Sequence, residues 1–258
     1  MTALGSIHKI ARFRLLHFPI RQRAGIGALA GLAMLVSACA KPYNPFKIPD
    51  AELRSRIRTI AIAPFRAQAT VVNREYARAE IEPLVAERLR AGGFEVVPSA
   101  EMERLWQRAA DEVGGLFDPV TGEVTHERFD AVQATVYRDL HTAHHADAIL
   151  YISISAVDVY LTGSTVNYCG KEGDEVFWSG DRIGLTDRAT VVYALCLNTD
   201  LRDMEQRSLY DIRYGIETIE TYFMQTRAVR PLDERLRNRA RLVQAVEATL
   251  GPLAKIGR

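Results

Sequence analysis

Five apolar phrases, each bounded by turn or helix signals, decide what this chain can fold into. RTIAIAPF (58–65), FEVVP (94–98), DAILYISI (147–154), ATVVYALCL (189–197) and LYDIRYGIETI (209–219) are short and rich in β-branched or aromatic residues, and so read as strands. Helical patterns separate them. From Arg74 to Ala91, Ile81, Leu84, Val85 and Leu89 recur at helical spacing and Gly92-Gly93 supplies a glycine stop, with Pro83 tolerable only near a first turn or in a bend. Ser99 suits the N-cap of a second helix, with Glu101 and Glu103 in its acidic first turn and Met102, Leu105, Trp106, Ala109 and Val113 as its buried stripe. Thr125 suits the N-cap of a third, which carries Phe129, Val132, Val136 and Leu140 on one face and ends near His145. A last amphipathic helix carries Leu236, Ala240, Val243, Val246 and Leu250 and stops at Gly251-Pro252. The polar turn through Asp200 to Gln206 joins the last two strands as an antiparallel pair, whereas 163–187, rich in Gly, Ser and charge, reads as a long loop or loose hairpin end. The order β-α-β-α-α-β-β-β-α predicts an α/β (α+β) domain: a single mixed sheet of about five strands packed by about four helices.

Ahead of this domain stands a segment of another kind. Residues 1–23 hold Lys9, Arg12, Arg14, Arg21 and Arg23 with no acidic residue, and Ala24 to Ala38 is a run of small and apolar residues. That run would make a helix of about 22 Å, short of the roughly 30 Å of a bilayer core. With Val36-Ser37-Ala38-Cys39 at its end, it resembles the signal peptide and lipobox of bacterial lipoproteins. The resemblance implies a thioether-linked diacylglycerol and an amide-linked acyl chain such as palmitate on Cys39, the new N-terminus, several chains anchoring where one would not. Residue 40 is Ala and not Asp, so the resemblance further implies the outer membrane, facing the periplasm. The other readings are a plain secretory signal with an incidental Cys39 and a retained signal anchor.

The expected organisation is therefore a signal peptide (1–38), a lipidated Cys and extended tether with Pro42, Pro45 and Pro49 (39–56), and a single domain (57–258). The chain has 33 basic and 32 acidic residues; loss of 1–38 removes five of the basic ones and leaves a net charge of −4, no footprint for nucleic acid. Export would place Cys169 and Cys196 in an oxidising compartment. They are candidates for one disulfide, the other reading being two free thiols with Cys196 a small core residue. A CxxC motif is absent.

RTIAIAPF, a helix ending in AGGFEVVPS, a helix leading to HHADAILYISI, and the strand–turn–strand VVYALCLNTDLRDMEQRSLYDI together resemble the domain shared by curli-secretion-type lipoproteins, penicillin-binding-protein activator lipoproteins and the TolB amino-terminal domain. The resemblance spans roughly residues 57 to 250 and rests on short apolar phrases. It implies the same α/β fold. The segment 159–187, with Gly163, Gly170, Gly173, Gly180 and Gly184, lacks the alternation of membrane hairpins that a curli-type pore needs. The short tether departs from activators that reach through the cell wall.

Motifs of standard chemistry are missing: no G-x-x-x-x-G-K-[ST], no G-x-G-x-x-G after the first strand, no G-x-S-x-G. His141 and His145 stand at i,i+4, a metal-ligand spacing, with Asp147 or Asp139 as an oxygen ligand; the competing reading is a polar helix end where His⁺ meets the negative pole of the dipole. Tyr168, Phe177 and Trp178, beside Glu172, Asp174 and Glu175, form either an exposed partner-binding patch or a cover folded over the sheet edge next to a Cys169–Cys196 bridge. Trp106 reads as core. Arg235, Arg237, Arg239 and Arg241 read as a solvated face of the final helix. The expectation is a non-enzymatic lipoprotein without cofactor, anchored through Cys39 and serving as a binding or assembly/accessory factor for an envelope protein. The alternatives are a metal-binding or metal-dependent protein using His141 and His145, and a ring-forming secretion-type oligomer.

Overall fold

The computed structural model describes residues 43–160, 165–175, 191–223 and 226–256. Cys39, Phe177 and Trp178 lie outside the described residues. The chain from Asn44 on forms one compact unit.

Its elements in chain order are α1 (Asp50–Arg56), β1 (Thr59–Ile62), β2 (Arg66–Ala67), α2 (Arg74–Ala91), β3 (Glu95–Val97), α3 (Ser99–Glu112), α4 (His126–His144), β4 (Ala148–Tyr160), β5 (Thr165–Tyr168), β6 (Lys171–Glu175), β7 (Val191–Asp203), β8 (Ser208–Thr218), β9 (Glu220–Phe223), β10 (Thr226–Val229) and α5 (Arg239–Ile256). The main sheet runs β3-β1-β4-β7-β8, with β2 also on β4. β3, β1 and β4 are parallel, and β4, β7 and β8 antiparallel. The predicted mixed α/β sheet is therefore the observed fold.

Period-two alternation divides the strands between two cores. Ile60 and Ile62 of β1, with Leu150, Ile152 and Ile154 of β4, face α2 and α5, while Ala61, Ala63 and Ile149 face α3 and α4. Each fully buried Leu or Ile contributes about 1.5–3 kcal/mol. Packing between α2 and α5 is close: a Cβ on Gly92 would come within 2.7 Å of the Ala254 backbone. Gly92 has an ordinary helical φ, and the left-handed residue that ends α2 is Gly93, at φ 91°. The glycine pair thus divides two tasks, close approach and chain reversal.

Several expectations are corrected. The stretch read as tether is packed from its middle onward: Phe46 bridges to Tyr210 on β8, and Leu53 of α1 is fully buried. α5 runs through Gly251-Pro252 to Ile256, because Pro252 follows a full turn of apolar residues that seat on the sheet. Leu236 lies before α5, at φ 62°. Arg235 is buried and not part of a solvated face: its Nη1 donates to the Val71 carbonyl at 2.5 Å and its Nε to the Arg230 carbonyl at 2.9 Å. β4 and β7 are each 13 residues long, so the polar turn between β7 and β8 is shorter than read.

That turn is organised by Asp203, which is 3% exposed. Its Oδ1 accepts from the backbone N–H of Glu205 at 3.1 Å and of Arg207 at 2.9 Å, and its Oδ2 from Arg207 Nε at 2.7 Å. Burial opposes ionisation, but the Arg207 side chain and these N–H groups outweigh it and hold the carboxyl below its ordinary range. A carboxyl that ionises at lower pH when folded stabilises fully at neutral pH and loses that contribution as pH falls through the folded value. The stability gap between wild type and Asp203→Asn, read by urea titration, should be widest near pH 7 and close on acidification below about pH 4.

Candidate binding site

In doubly wound sheets a crevice opens where the chain leaves adjacent parallel strands toward opposite faces. Here β1 leads to α2 on one face and β3 to α3 on the other. A hollow of about 670 Å³ lies at that point, walled by Pro64, Phe65 and Arg66 after β1, by Met102, Glu103 and Trp106 on α3, and by Phe129, Gln133 and Tyr137 on α4. A second lobe of about 340 Å³ shares Arg66, Phe129, Gln133, Tyr137 and Tyr151 with it and continues over Ser153, Asn198, Asp200, Arg202 and Gln206.

The second lobe exists because α3 and α4 cover β3, β1 and β4 but leave β7 bare on that face. In β7, Leu195, Leu197, Thr199 and Leu201 are buried, while Asn198, Asp200 and Arg202 alternate with them on the open side. Cross-strand pairs Ser153↔Asn198 and Tyr151↔Asp200 make the floor. Asn198 Nδ2 donates to the Ser155 hydroxyl at 3.0 Å, and Arg202 Nε donates to Asp200 Oδ2 at 2.6 Å.

Arg66 arrives there through a register slip. β1 pairs Ile62 with Leu150, whereas β2 pairs Arg66 with Ser153, so one extra residue is taken up around Pro64-Phe65. Pro64 has no N–H for the ladder, and the Phe65 N–H turns instead to Glu82 Oε1 at 3.1 Å. Without the slip Arg66 would stand opposite Ile154, on the buried face. With it, the guanidinium lies 5.6 Å from the Tyr151 ring centroid.

A hydrogen-bonded row crosses the hollow. Gln133 Nε2 donates to the Tyr137 hydroxyl at 2.6 Å, the Tyr137 and Tyr151 hydroxyls share a bond of 2.7 Å, and Tyr151 donates to Gln206 Oε1 at 3.0 Å. Burial and the Tyr137 hydrogen bond push the Tyr151 hydroxyl well above the ordinary tyrosine value. It stays protonated at neutral pH, a hydrogen-bonding group in this row. Trp106, expected in the core, is only partly buried and meets Phe129 edge-on at 5.3 Å, forming the aromatic wall.

The residues singled out in the sequence fare differently. Cys169 and Cys196 are disulfide bonded, with Cα atoms 6.3 Å apart. The bridge pins the β5–β6 hairpin over β7 and β8. Tyr168 is not an exposed partner-binding aromatic: it is 5% exposed and packs on Gly215, where an added Cβ would come within 2.4 Å of its ring. Lys171 Nζ, beside that ring, donates to the Ile216 carbonyl at 2.6 Å. His141 and His145 do not converge. His141 Nδ1 lies 3.1 Å from the Ala146 carbonyl, and His145 is the left-handed C-cap of α4. Asp147 accepts from the N–H groups of Arg58 and Thr59 at 2.8 and 3.0 Å, fastening the start of β1, and Asp139 is paired with Arg108 and Arg138. Among the described residues no group of three or more His, Cys, Asp or Glu side chains could hold a metal, and no helix is long and apolar enough to cross a membrane.

Sequence reasoning missed Arg66, Gln133, Tyr137, Tyr151 and the polar face of β7. The strict alternation of LCLNTDLRD was the available signal: an amphipathic strand in the middle of a sheet leaves one polar face without a helix over it.

No family model and no curated protein matches the chain. Among solved structures it is similar to a PelC dodecamer from Paraburkholderia phytofirmans in two crystal forms. The C2 form aligns at 14% identity and TM-score 0.33, over 77% of this chain and 90% of that one. The P6 form aligns at 13% and 0.32, over 77% and 89%.

Proposed function

We propose that this chain is a bacterial envelope lipoprotein, anchored through an acylated Cys39 on the periplasmic side of the outer membrane, and that it works as a non-enzymatic binding or assembly factor. The observation that carries the binding reading is the two-lobed hollow at the strand switch point. Its lining combines aromatic faces, amides and hydroxyls with the charged side chains Arg66, Glu103, Asp200 and Arg202, groups suited to holding a ligand. The Cys169–Cys196 disulfide supports an oxidising compartment. Metabolic labelling with an alkyne palmitate tests the anchor: wild type should label and float with outer-membrane fractions, and Cys39→Ser should lose both. A wild-type protein that stays unlabelled overturns it. A photo-crosslinking amino acid at Gln107, on the rim, should give a discrete adduct in cells that is absent when the crosslinker replaces exposed Val243 on α5; equal adducts at both positions overturn the binding reading.

A further inference from the structure

We propose that the hollow binds a small organic anion with a flat apolar body, the anionic group held at Arg66 and Gln206 and the body laid against Trp106 and Phe129. The inference rests on the reading of the hollow as a binding site and assigns its ligand class.

Arg104 is paired with Glu101, Glu103 with Arg78, and Arg202 with Asp200, each at 2.6 Å. These pairs cancel. Arg66 has no carboxylate partner among the described residues; its guanidinium lies over the Tyr151 ring. It lines both lobes, so the one cation of the lining without a carboxylate partner among the described residues sits at their junction. A proline-centred slip in the strand brings it there from what would otherwise be the core face.

A second polar group points the same way. Gln206 lines the second lobe, and its Oε1 is committed as acceptor to Tyr151. Its Nε2 is buried and has no acceptor. An unmet buried donor costs free energy that an incoming acceptor restores. A cation on Arg66 and a bare donor on Gln206 both call for a group that only accepts hydrogen bonds: a carboxylate, sulfonate or phosphate. Cationic ligands would meet Arg66 unfavourably.

The larger lobe defines the rest of the ligand. The Trp106–Phe129 pair and Met102 offer flat or apolar surface, and aromatic walls of this kind take planar rings by offset or edge contact. Lobes of about 670 and 340 Å³ fall in the range of small-ligand sites, roughly 300–1,000 Å³.

The test uses a matched pair of probes, 1-naphthoate and its neutral amide 1-naphthamide, titrated calorimetrically into the full chain in nanodiscs with empty nanodiscs as blank. Wild type should bind naphthoate more tightly than naphthamide. Arg66→Gln should weaken naphthoate roughly tenfold or more and leave naphthamide within about twofold. Gln206→Glu should likewise weaken only naphthoate, while Trp106→Ala should weaken both probes, with far-UV circular dichroism unchanged in each variant. Absence of saturable naphthoate binding, equal affinity for the two probes, or indifference of naphthoate to Arg66→Gln overturns the proposal. Selective naphthoate binding by a chain that is not acylated would remove the anchor alone; acylation with no probe selectivity would remove the ligand class alone.

Discussion

Glu217→Ala is expected to lower the unfolding free energy by about 3–5 kcal/mol, a large share of the roughly 5–15 kcal/mol of an ordinary domain. Glu217 is 1% exposed on β8. Its carboxylate accepts from Arg230 Nη1 at 2.5 Å and from the Leu236 N–H at 2.7 Å, the latter at the left-handed residue where the chain turns toward α5. Arg235 stands beside the pair; burial lowers its pKa, and the charge of Glu217 opposes that effect. Alanine would strip Arg230 of its carboxylate partner, remove one of the two acidic charges acting on Arg235, and leave a buried N–H without an acceptor. Glu217→Gln keeps an acceptor for Leu236 but not the charge, and should fall between the two. Urea midpoints at constant m-value measure the effect; a loss under about 1 kcal/mol for the alanine variant would show that the cluster is not held by this carboxylate.

Opening the Cys169–Cys196 bridge should cost roughly 3–4 kcal/mol through the unfolded chain, the two cysteines being 27 positions apart. Cys196 is fully buried on β7, and Cys169 ends the β5 side of a hairpin whose other contacts with the sheet include the buried cluster of Val166 with Val159 and Val192, Tyr168 on Gly215 and Lys171 on the Ile216 carbonyl. Reduction should therefore raise amide exchange first in Thr165–Tyr168 and Lys171–Glu175, leaving β1 and β4 protected. The reduced wild type and the Cys169→Ala/Cys196→Ala variant should unfold at similar urea concentrations, both well below the oxidised protein. Identical midpoints for oxidised and reduced chains would mean that the hairpin is held by packing alone.

Strand and helix content was legible where periodicity was strong. The 18 residues of α2 match the apolar spacing of Ile81, Val85 and Leu89, and the core of β4 matches DAILYISI. Where reading went astray, tertiary contact overrode a local signal. Pro45 and Pro49 mark an extended chain, but contacts distant in sequence, among them the Tyr210 ring 5.0 Å from Phe46 and the buried seat of Leu53, make that chain part of the domain. Gly251-Pro252 is a stop signal on its own, yet Leu250 and Leu253, both fully buried, carry the helix across it. The candidate site was harder still. Arg66 is unremarkable in sequence, since its position depends on the slip from the Ile62↔Leu150 pairing to the Arg66↔Ser153 pairing, between strands far apart in the chain. Tyr168, Phe177 and Trp178 stand out because they lie in a glycine-rich segment, while Trp106, Phe129, Tyr137 and Tyr151 belong to helical and strand patterns in which a ring ordinarily reads as core.

The short N-terminal run beside β8 bears on how this sheet avoids growing. An outermost strand exposes unpaired N–H and C=O groups to which another chain can add. Here the Lys47 N–H bonds the Leu209 carbonyl at 2.9 Å, and the Asp211 N–H bonds the Pro45 carbonyl at 3.0 Å, with prolines on both sides to prevent the run from becoming a full strand. At the opposite border β3 is only three residues long. One edge is thus covered at Leu209 and Asp211 by the chain itself and the other is cut short, which leaves less of either border open to an added strand.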